Sequence, residues 1–183
     1  MGADILIFVE RKRNNKWVRY TGNHFSLTEW ERGYLGKEKG NIPFDWRSYG
    51  MFGFLAGVRA RNIKPIKEAI GGIPSNASEY VKKEFERWEG DGHSHSFLTV
   101  RELTEFDYNQ DLREPGENFS TNSRKTLFEK KTHRKNKDFD EDDECKTYYD
   151  YLGGPDSMFF IHIKELSELG KPDDVRIVFW FDN

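Results

Sequence analysis

Asp91-Gly92-His93-Ser94-His95-Ser96-Phe97-Leu98-Thr99-Val100-Arg101-Glu102-Leu103 is the stretch whose reading organises the rest of the chain. Its second half has the pattern of a helix start. Thr99 and Glu102 have the spacing of a capping box, in which the hydroxyl accepts the third backbone N–H and the carboxylate reaches back to the cap. Leu98 and Leu103 stand at the two ends of a hydrophobic staple. The segment 91–98 is therefore expected as a loop held against the first turn of that helix. The free N–H groups of such a turn favour an anion or a carboxylate. The loop brings two histidines, two serines and a carboxylate to that position.

Outward from this stretch, the two ends of the chain supply strands. Residues 3–10 (ADILIFVE) are apolar on both alternating faces, so this strand is expected to be central and covered on both sides. Asn14-Asn15 reads as a hairpin turn leading to a short strand at 17–20. Residues 175–181 (VRIVFWF) are apolar on both faces except for Arg176, which places them mid-sheet beside the first strand. Arg176 is then either buried with a carboxylate or carbonyls, or exposed at an edge. Residues 158–163 are read as a third central strand. Helices are expected near 26–33, 47–59, 77–88 and 99–106, with further capping boxes at Ser26/Glu29 and Asn76/Glu79 and a staple of Phe25 with Trp30. On the third helix Tyr80, Val81, Phe85 and Trp88 form the buried stripe. Gly50, Gly53 and Gly57 weaken the second helix but allow close approach of a backbone or a ligand. Residues 107–157 are read as a charged insertion, basic over 124–137 and acidic over 138–144. The acidic run argues against phosphate-backbone binding by the basic one.

The 183 residues suit one domain. Charged residues make up 33% and the net charge is −3, so no global basic field exists for nucleic acid or an anionic membrane. Aromatics at 15% compensate for a mean hydropathy of −0.87, because each buried ring removes much apolar area from water. The sole cysteine, Cys145, excludes an intrachain disulfide and fits a reducing cytosol. No apolar run approaches the roughly 20 residues of a membrane span. The fold expected is α/β or α+β: a single domain with a mixed β-sheet, helices packed on it and the charged insertion 107–157.

The pieces MGADI and FVE at the start, SYGMFGFLAGVR and GGIP further on, DGHSHSFLT in the centre and VRIVFWFDN at the end together resemble a family of small proteins found largely in bacteriophage genomes. The resemblance covers most of the chain outside the charged insertion. An acidic residue commonly stands in that family where Gly57 stands here. The resemblance implies a phage context and the cytosol of an infected cell. Some small phage proteins there counter host defence, among them sponges that sequester nucleotide immune signals.

Three chemistries suit the central stretch. The first is a binding site for an anionic, nucleotide-like small molecule. Ser94, Ser96 and Thr99 offer hydroxyls, His93 and His95 donate to phosphate, Arg59 or Arg61 pairs with it, and Trp46, Tyr49 or Trp180 stacks on a base. No cofactor is required. The second is a metal-dependent hydrolase or phosphodiesterase. There Asp91, His93 and His95 face one side of an extended segment, and a third ligand comes through the fold from Asp4, Asp182 or His162. The third is structural: the histidines satisfy backbone carbonyls and Asp91 makes an Asx-turn. The protein then acts on another protein, such as a host defence factor, through the charged insertion. His24-Phe25-Ser26-Leu27 matches one half of the paired motif of the 2H phosphoesterases, but His95 and His162 do not supply the second copy. Exposed aromatics would suit assembly into a homo-oligomer.

Overall fold

The two most apolar runs of the chain pair with each other. In a computed structural model that describes residues 2–59, 63–88, 90–112 and 147–182, β1 (Asp4–Arg13) and β6 (Val175–Asp182) are antiparallel neighbours, in register from Asp4 opposite Asp182 to Arg11 opposite Val175. β2 (Lys16–Arg19) returns alongside β1 through Asn14 and Asn15, whose φ angles of 49° and 60° are those of a type I′ hairpin turn. β5 (His93–Thr99) lies on the other side of β6. The sheet order is β2-β1-β6-β5, and every pairing is antiparallel. A separate two-stranded piece joins β3 (Phe25–Ser26) to β4 (Lys39–Gly40).

Six helices lie among the described residues: α1 (Glu29–Leu35), α2 (Tyr49–Ala56), α3 (Glu79–Arg87), α4 (Val100–Glu105), α5 (Tyr148–Tyr151) and α6 (Met158–Ser167). The architecture is α+β, one domain of sheet with helices packed against it. On one face Ile7, Val9, Leu98, Ile177, Phe179 and Phe181 pack with buried residues of α2, α4 and α6. On the other, Val178 and Trp180 pack with Ala77 and Val81, and Leu6, Phe8 and Phe97 join them. Burial of both faces explains why β6 carries apolar residues at nearly every position. Each large side chain so buried stabilises the fold by about 1.5–3 kcal/mol.

Arg176 is one of the few charged groups inside. It is paired, not at an edge. Its Nε and Nη2 donate to Glu10 Oε2, each at 2.7 Å, and its Nη1 donates to Asn76 Oδ1 at 2.9 Å. Glu10 Oε1 accepts the Ser78 N–H at 2.6 Å. The guanidinium also lies 3.9 Å from the Trp17 ring centroid. Charge pairing, hydrogen bonding and ring contact together make this burial tolerable.

Several expectations need correction. Residues 158–163 are the start of α6, because Phe159, Ile163 and Leu166 share one buried helical face. A run of Phe and Ile fits a strand locally, but tertiary packing imposed the 3.6-residue period. Residues 93–99 are strand β5, so only Asp91 and Gly92 turn, with both N–H groups donating to the Trp88 carbonyl. The cap of α1 is Thr28 with Glu31, two residues beyond the expected Ser26/Glu29. The cap of α3 is Ser78, and Asn76 instead holds Arg176. No Phe25–Trp30 staple forms: Phe25 is buried and Trp30 is exposed. Tyr80 lies partly exposed beside the α3 stripe. The Thr99/Glu102 box is present with both reciprocal bonds. An antiparallel bridge between Asp111 and Thr147 lies within the expected insertion 107–157, and Tyr148 and Leu152 of that stretch are buried in the core. The charge runs at 124–137 and 138–144, Cys145 and Arg61 lie outside the described residues.

Candidate functional site

The histidine-rich stretch forms the edge strand, and its start is irregular. From Phe181 to Phe179 is two steps along β6, but the partners His93 and Ser96 are three steps apart along β5. The extra residue is a β-bulge, with Ser94 in the left-handed region at φ 52°. The bulge breaks the alternation on which a shared His93/His95 face depended. His93 pairs opposite Phe181, on the α2 face. His95 lies against Trp180 and Phe85 on the α3 face, with ring centroids 5.8 and 4.9 Å away. His93 Nδ1 meets Ser94 Oγ at 2.9 Å. Burial, then the neighbouring His93, holds the His95 imidazole below its ordinary pKa. Among the described residues, no group of three His, Cys, Asp or Glu is placed to hold a metal ion. Thr99 is committed to its capping box. His93 Nε2, Ser96 Oγ and Trp180 Nε1 are buried and have no hydrogen-bond partner among the described residues. Arg59 lies two residues beyond the α2 cap at Gly57, with φ 60°.

A concave site lies elsewhere, at the amino ends of α2 and α6. It is a cavity of about 220 Å³ lined by Thr28, Trp46, Ser48, Met51, Tyr151, Leu152, Gly153, Ser157, Met158 and Phe159. Of the residues singled out from the sequence, Trp46 is on its wall. Tyr49 is the first residue of α2, directly after the lining Ser48. Three lining residues are helix N-caps. Thr28 is fully engaged in its capping box with Glu31. Ser48 accepts the Met51 N–H at 3.4 Å. Ser157 makes no side-chain cap bond to α6, and its Oγ is buried without a partner among the described residues. The first turn of α6 therefore keeps N–H groups that its own cap side chain does not satisfy. Gly50 has a packing role here: a Cβ on it would stand 3.2 Å from the Tyr151 ring.

The Trp46 wall is positioned by His162, a buried histidine of α6. Its Nδ1 accepts the Phe44 N–H at 2.8 Å, and its Nε2 lies 2.7 Å from the Ser26 carbonyl oxygen. Because a backbone N–H can only donate, the ring is the neutral Nε2–H tautomer and donates to Ser26. Burial keeps its pKa below the ordinary value, outweighing the bond to Ser26 and the Glu165 charge. Phe44 is held at φ 58°, a left-handed conformation that a bulky residue rarely adopts. The Trp46 ring packs on the imidazole with centroids 5.4 Å apart.

One turn further along α6, Glu165 anchors the β3–β4 piece. Its Oε2 accepts the Ser26 N–H at 2.9 Å and its Oε1 accepts the Ser26 hydroxyl at 2.7 Å. Lys39 bonds both Glu165 and, at 2.9 Å, Ser26 Oγ. Burial alone would raise the Glu165 pKa, but the Lys39 and Ser26 bonds outweigh it and hold the carboxyl below its ordinary value. His24 Nε2 lies 2.9 Å from the Glu165 carbonyl. His24 and Ser26 thus serve as a clamp on α6.

The cavity has polar and apolar sides. Met51, Tyr151, Leu152, Met158 and Phe159 supply the apolar lining. No lysine or arginine lines it, and its positive ends are the amino ends of α2 and α6, each carrying roughly half a positive charge. Asp45, next to Trp46 in sequence, has its carboxyl pushed up by burial and by the Glu31 charge. The chain matches no family model, no curated protein and no solved structure. Among the described residues, no helix is long and apolar enough to cross a membrane.

Proposed function

We propose that this protein binds an anionic, nucleotide-like small molecule and holds it unchanged, with a ring against Trp46 and a phosphate-like group at the amino ends of α2 and α6. The observation that carries this reading is the α6 start. Its cap serine leaves both the hydroxyl and the first-turn N–H groups unbonded to each other, and they open on a cavity with an aromatic wall. Helix starts of this kind take phosphate and carboxylate groups, and an indole face accepts any base.

Size sets a limit. Sites that enclose a drug-sized ligand occupy about 300–1,000 Å³, and this cavity holds about 220 Å³. It therefore takes one ring with its attached acceptor group, and the remainder of a larger ligand stays outside. The metal-dependent hydrolase reading loses its geometry, since the bulge sends His93 and His95 to opposite faces. The bacteriophage resemblance gives the binding reading a biological use, the sequestration of a host nucleotide signal.

The test is calorimetric titration with nucleoside monophosphates and cyclic dinucleotides, followed by chromatography of the recovered ligand. Saturable binding that weakens at least about tenfold in Trp46→Ala, with the ligand recovered intact, supports the reading. No binding across the panel, or conversion of the ligand, overturns it.

A further inference from the structure

The β1–β2 hairpin carries a charge that its surroundings do not balance. Residues 11–19 (RKRNNKWVR) hold five cations and no carboxylate, in a chain whose net charge is −3. Lys12, Arg13, Asn14, Asn15 and Lys16 are all exposed. Arg13 and Lys16 stand directly opposite each other, where like charges are destabilising. Lys12 has a carboxylate beside it, Asp174 at 3.7 Å. Arg11, Arg13, Lys16 and Arg19 make no ion pair among the described residues, and the nearby Asp173 is taken by Arg101. Arg11 lies over the Tyr20 ring at 5.4 Å and Arg19 over the Tyr80 ring at 3.7 Å, contacts that orient the guanidinium groups and leave their charge in place. Cations on an edge strand guard against unwanted strand pairing. That accounts for Lys16 and Arg19 on β2, but Arg11, Lys12 and Arg13 are on β1, one strand in.

The geometry selects the kind of partner. β6 begins opposite Arg11, so the pairs Lys12–Trp17 and Arg13–Lys16 and the Asn14-Asn15 turn run past its end as a two-stranded ribbon. At about 3.4 Å per residue the two pairs reach about 7 Å before the turn is added. Side chains alternate along a strand, so Arg11, Arg13 and Lys16 share one face of the ribbon, while Lys12 and Arg19 share the other with Trp17. A flat anionic surface meets one face and leaves the cations of the other unused. A nucleic-acid groove has a phosphate strand on each side. The major groove of duplex DNA is about 12 Å wide and about 8.5 Å deep, and it admits a two-stranded ribbon.

We propose that the tip of the β1–β2 hairpin enters the major groove of duplex DNA. Asn14 and Asn15 then face the groove floor, where an asparagine side chain pairs with adenine. Arg11 on one face and Arg19 on the other stand at the height of the groove rim, each toward the phosphates of one strand. Arg13 and Lys16 add their charge between floor and rim. The attraction is local, because the net charge of −3 opposes the approach of the whole protein. Binding is therefore weak and depends on low salt.

Fluorescence anisotropy with a labelled DNA duplex of about 20 base pairs, over a salt series from about 25 to 200 mM, reads the contact directly. Four unpaired cations set the slope of log affinity against log salt at about −3 to −4 for the wild-type chain. Arg13→Gln/Lys16→Gln should weaken binding at least about tenfold at the lowest salt and make the slope shallower by about 2. The same variant should keep the wild-type circular dichroism and an equal or higher unfolding midpoint, since it removes a like-charge pair. The duplex should bind at least about threefold more tightly than a single strand of the same length, which has no groove. A wild-type chain that does not bind the duplex at about 25 mM salt overturns the proposal. So does a folded double variant with the wild-type slope, or a single strand bound as tightly as the duplex. Binding to polyglutamate as tight as to the duplex also overturns it, and makes the partner an acidic protein.

Discussion

Replacing His162 with phenylalanine should unfasten the wall of the cavity. The substitution keeps a ring between Phe25, Phe44 and Trp46, whose centroids lie 5.4–5.9 Å from the imidazole. It removes both hydrogen bonds. The Phe44 N–H loses its acceptor and the Ser26 carbonyl loses its donor, at sites shielded from water. Each unsatisfied group costs about 1–3 kcal/mol, and relief from burying the polar imidazole offsets part of this, leaving a loss of about 2–4 kcal/mol. That is a large share of the roughly 5–15 kcal/mol that holds a domain folded. The pH dependence carries a second signature. In the folded chain the His162 pKa is held below its ordinary value of 6.5, so the unfolded chain takes up the proton first. Its contribution is complete above about pH 6.5 and is lost as the pH falls toward the folded value, at up to about 1.4 kcal/mol per pH unit. Urea unfolding of wild type and His162→Phe at about pH 7.5 and 5.5 measures both effects. The variant should be less stable at the higher pH and lose less than wild type on acidification. Some slope will remain, because His95 is lowered by burial and titrates with the same sign. A loss below about 1 kcal/mol at pH 7.5, or identical acid slopes in the two proteins, would refute this account of His162.

Arg176→Met strips Glu10 of its counter-charge inside the protein and should destabilise by about 3–5 kcal/mol in urea unfolding. Adding Glu10→Gln should recover part of that loss, and a double variant no better than the single would show that the two side chains are not coupled. Ser96→Ala removes a buried hydroxyl that has no partner among the described residues, so stability should hold or rise by up to about 1 kcal/mol; a loss above that would show that the hydroxyl is bonded.

Much of the fold was legible because its signals are local or periodic. The runs apolar on both faces at the two ends gave the central pair β1 and β6, Asn14-Asn15 gave the hairpin, and Thr99/Glu102 gave the start of α4. Failures came where distant groups decide between equivalent local options. Ser26/Glu29 and Thr28/Glu31 have the same spacing, and the choice is made by Glu165, which engages Ser26 from α6 and leaves Thr28 to cap. Asn76 was a good cap by type, but Arg176 took its side chain. The bulge at Ser94 has no signature in the residues themselves, and it separates the two histidines. The α6 start did leave a trace: Pro155-Asp156-Ser157 is a turn followed by a cap residue, and Phe159, Ile163 and Leu166 follow at helical spacing. Reading that trace would have turned the expected strand into a helix. The left-handed Phe44, and with it the placement of Trp46, depends on a bond to His162 across 118 residues, which no local pattern encodes.

The amino end of α6 is the proposed seat of the ligand's negative charge, and Ser157→Asp tests it with two opposed effects. Aspartate is a good N-cap, so its carboxylate should satisfy the first-turn N–H groups and leave stability equal or up to about 1 kcal/mol higher. The same carboxylate should repel an anionic ligand and weaken its binding in calorimetry at least about tenfold, which is about 1.4 kcal/mol. Undiminished nucleotide binding in a stable Ser157→Asp protein would contradict the assignment.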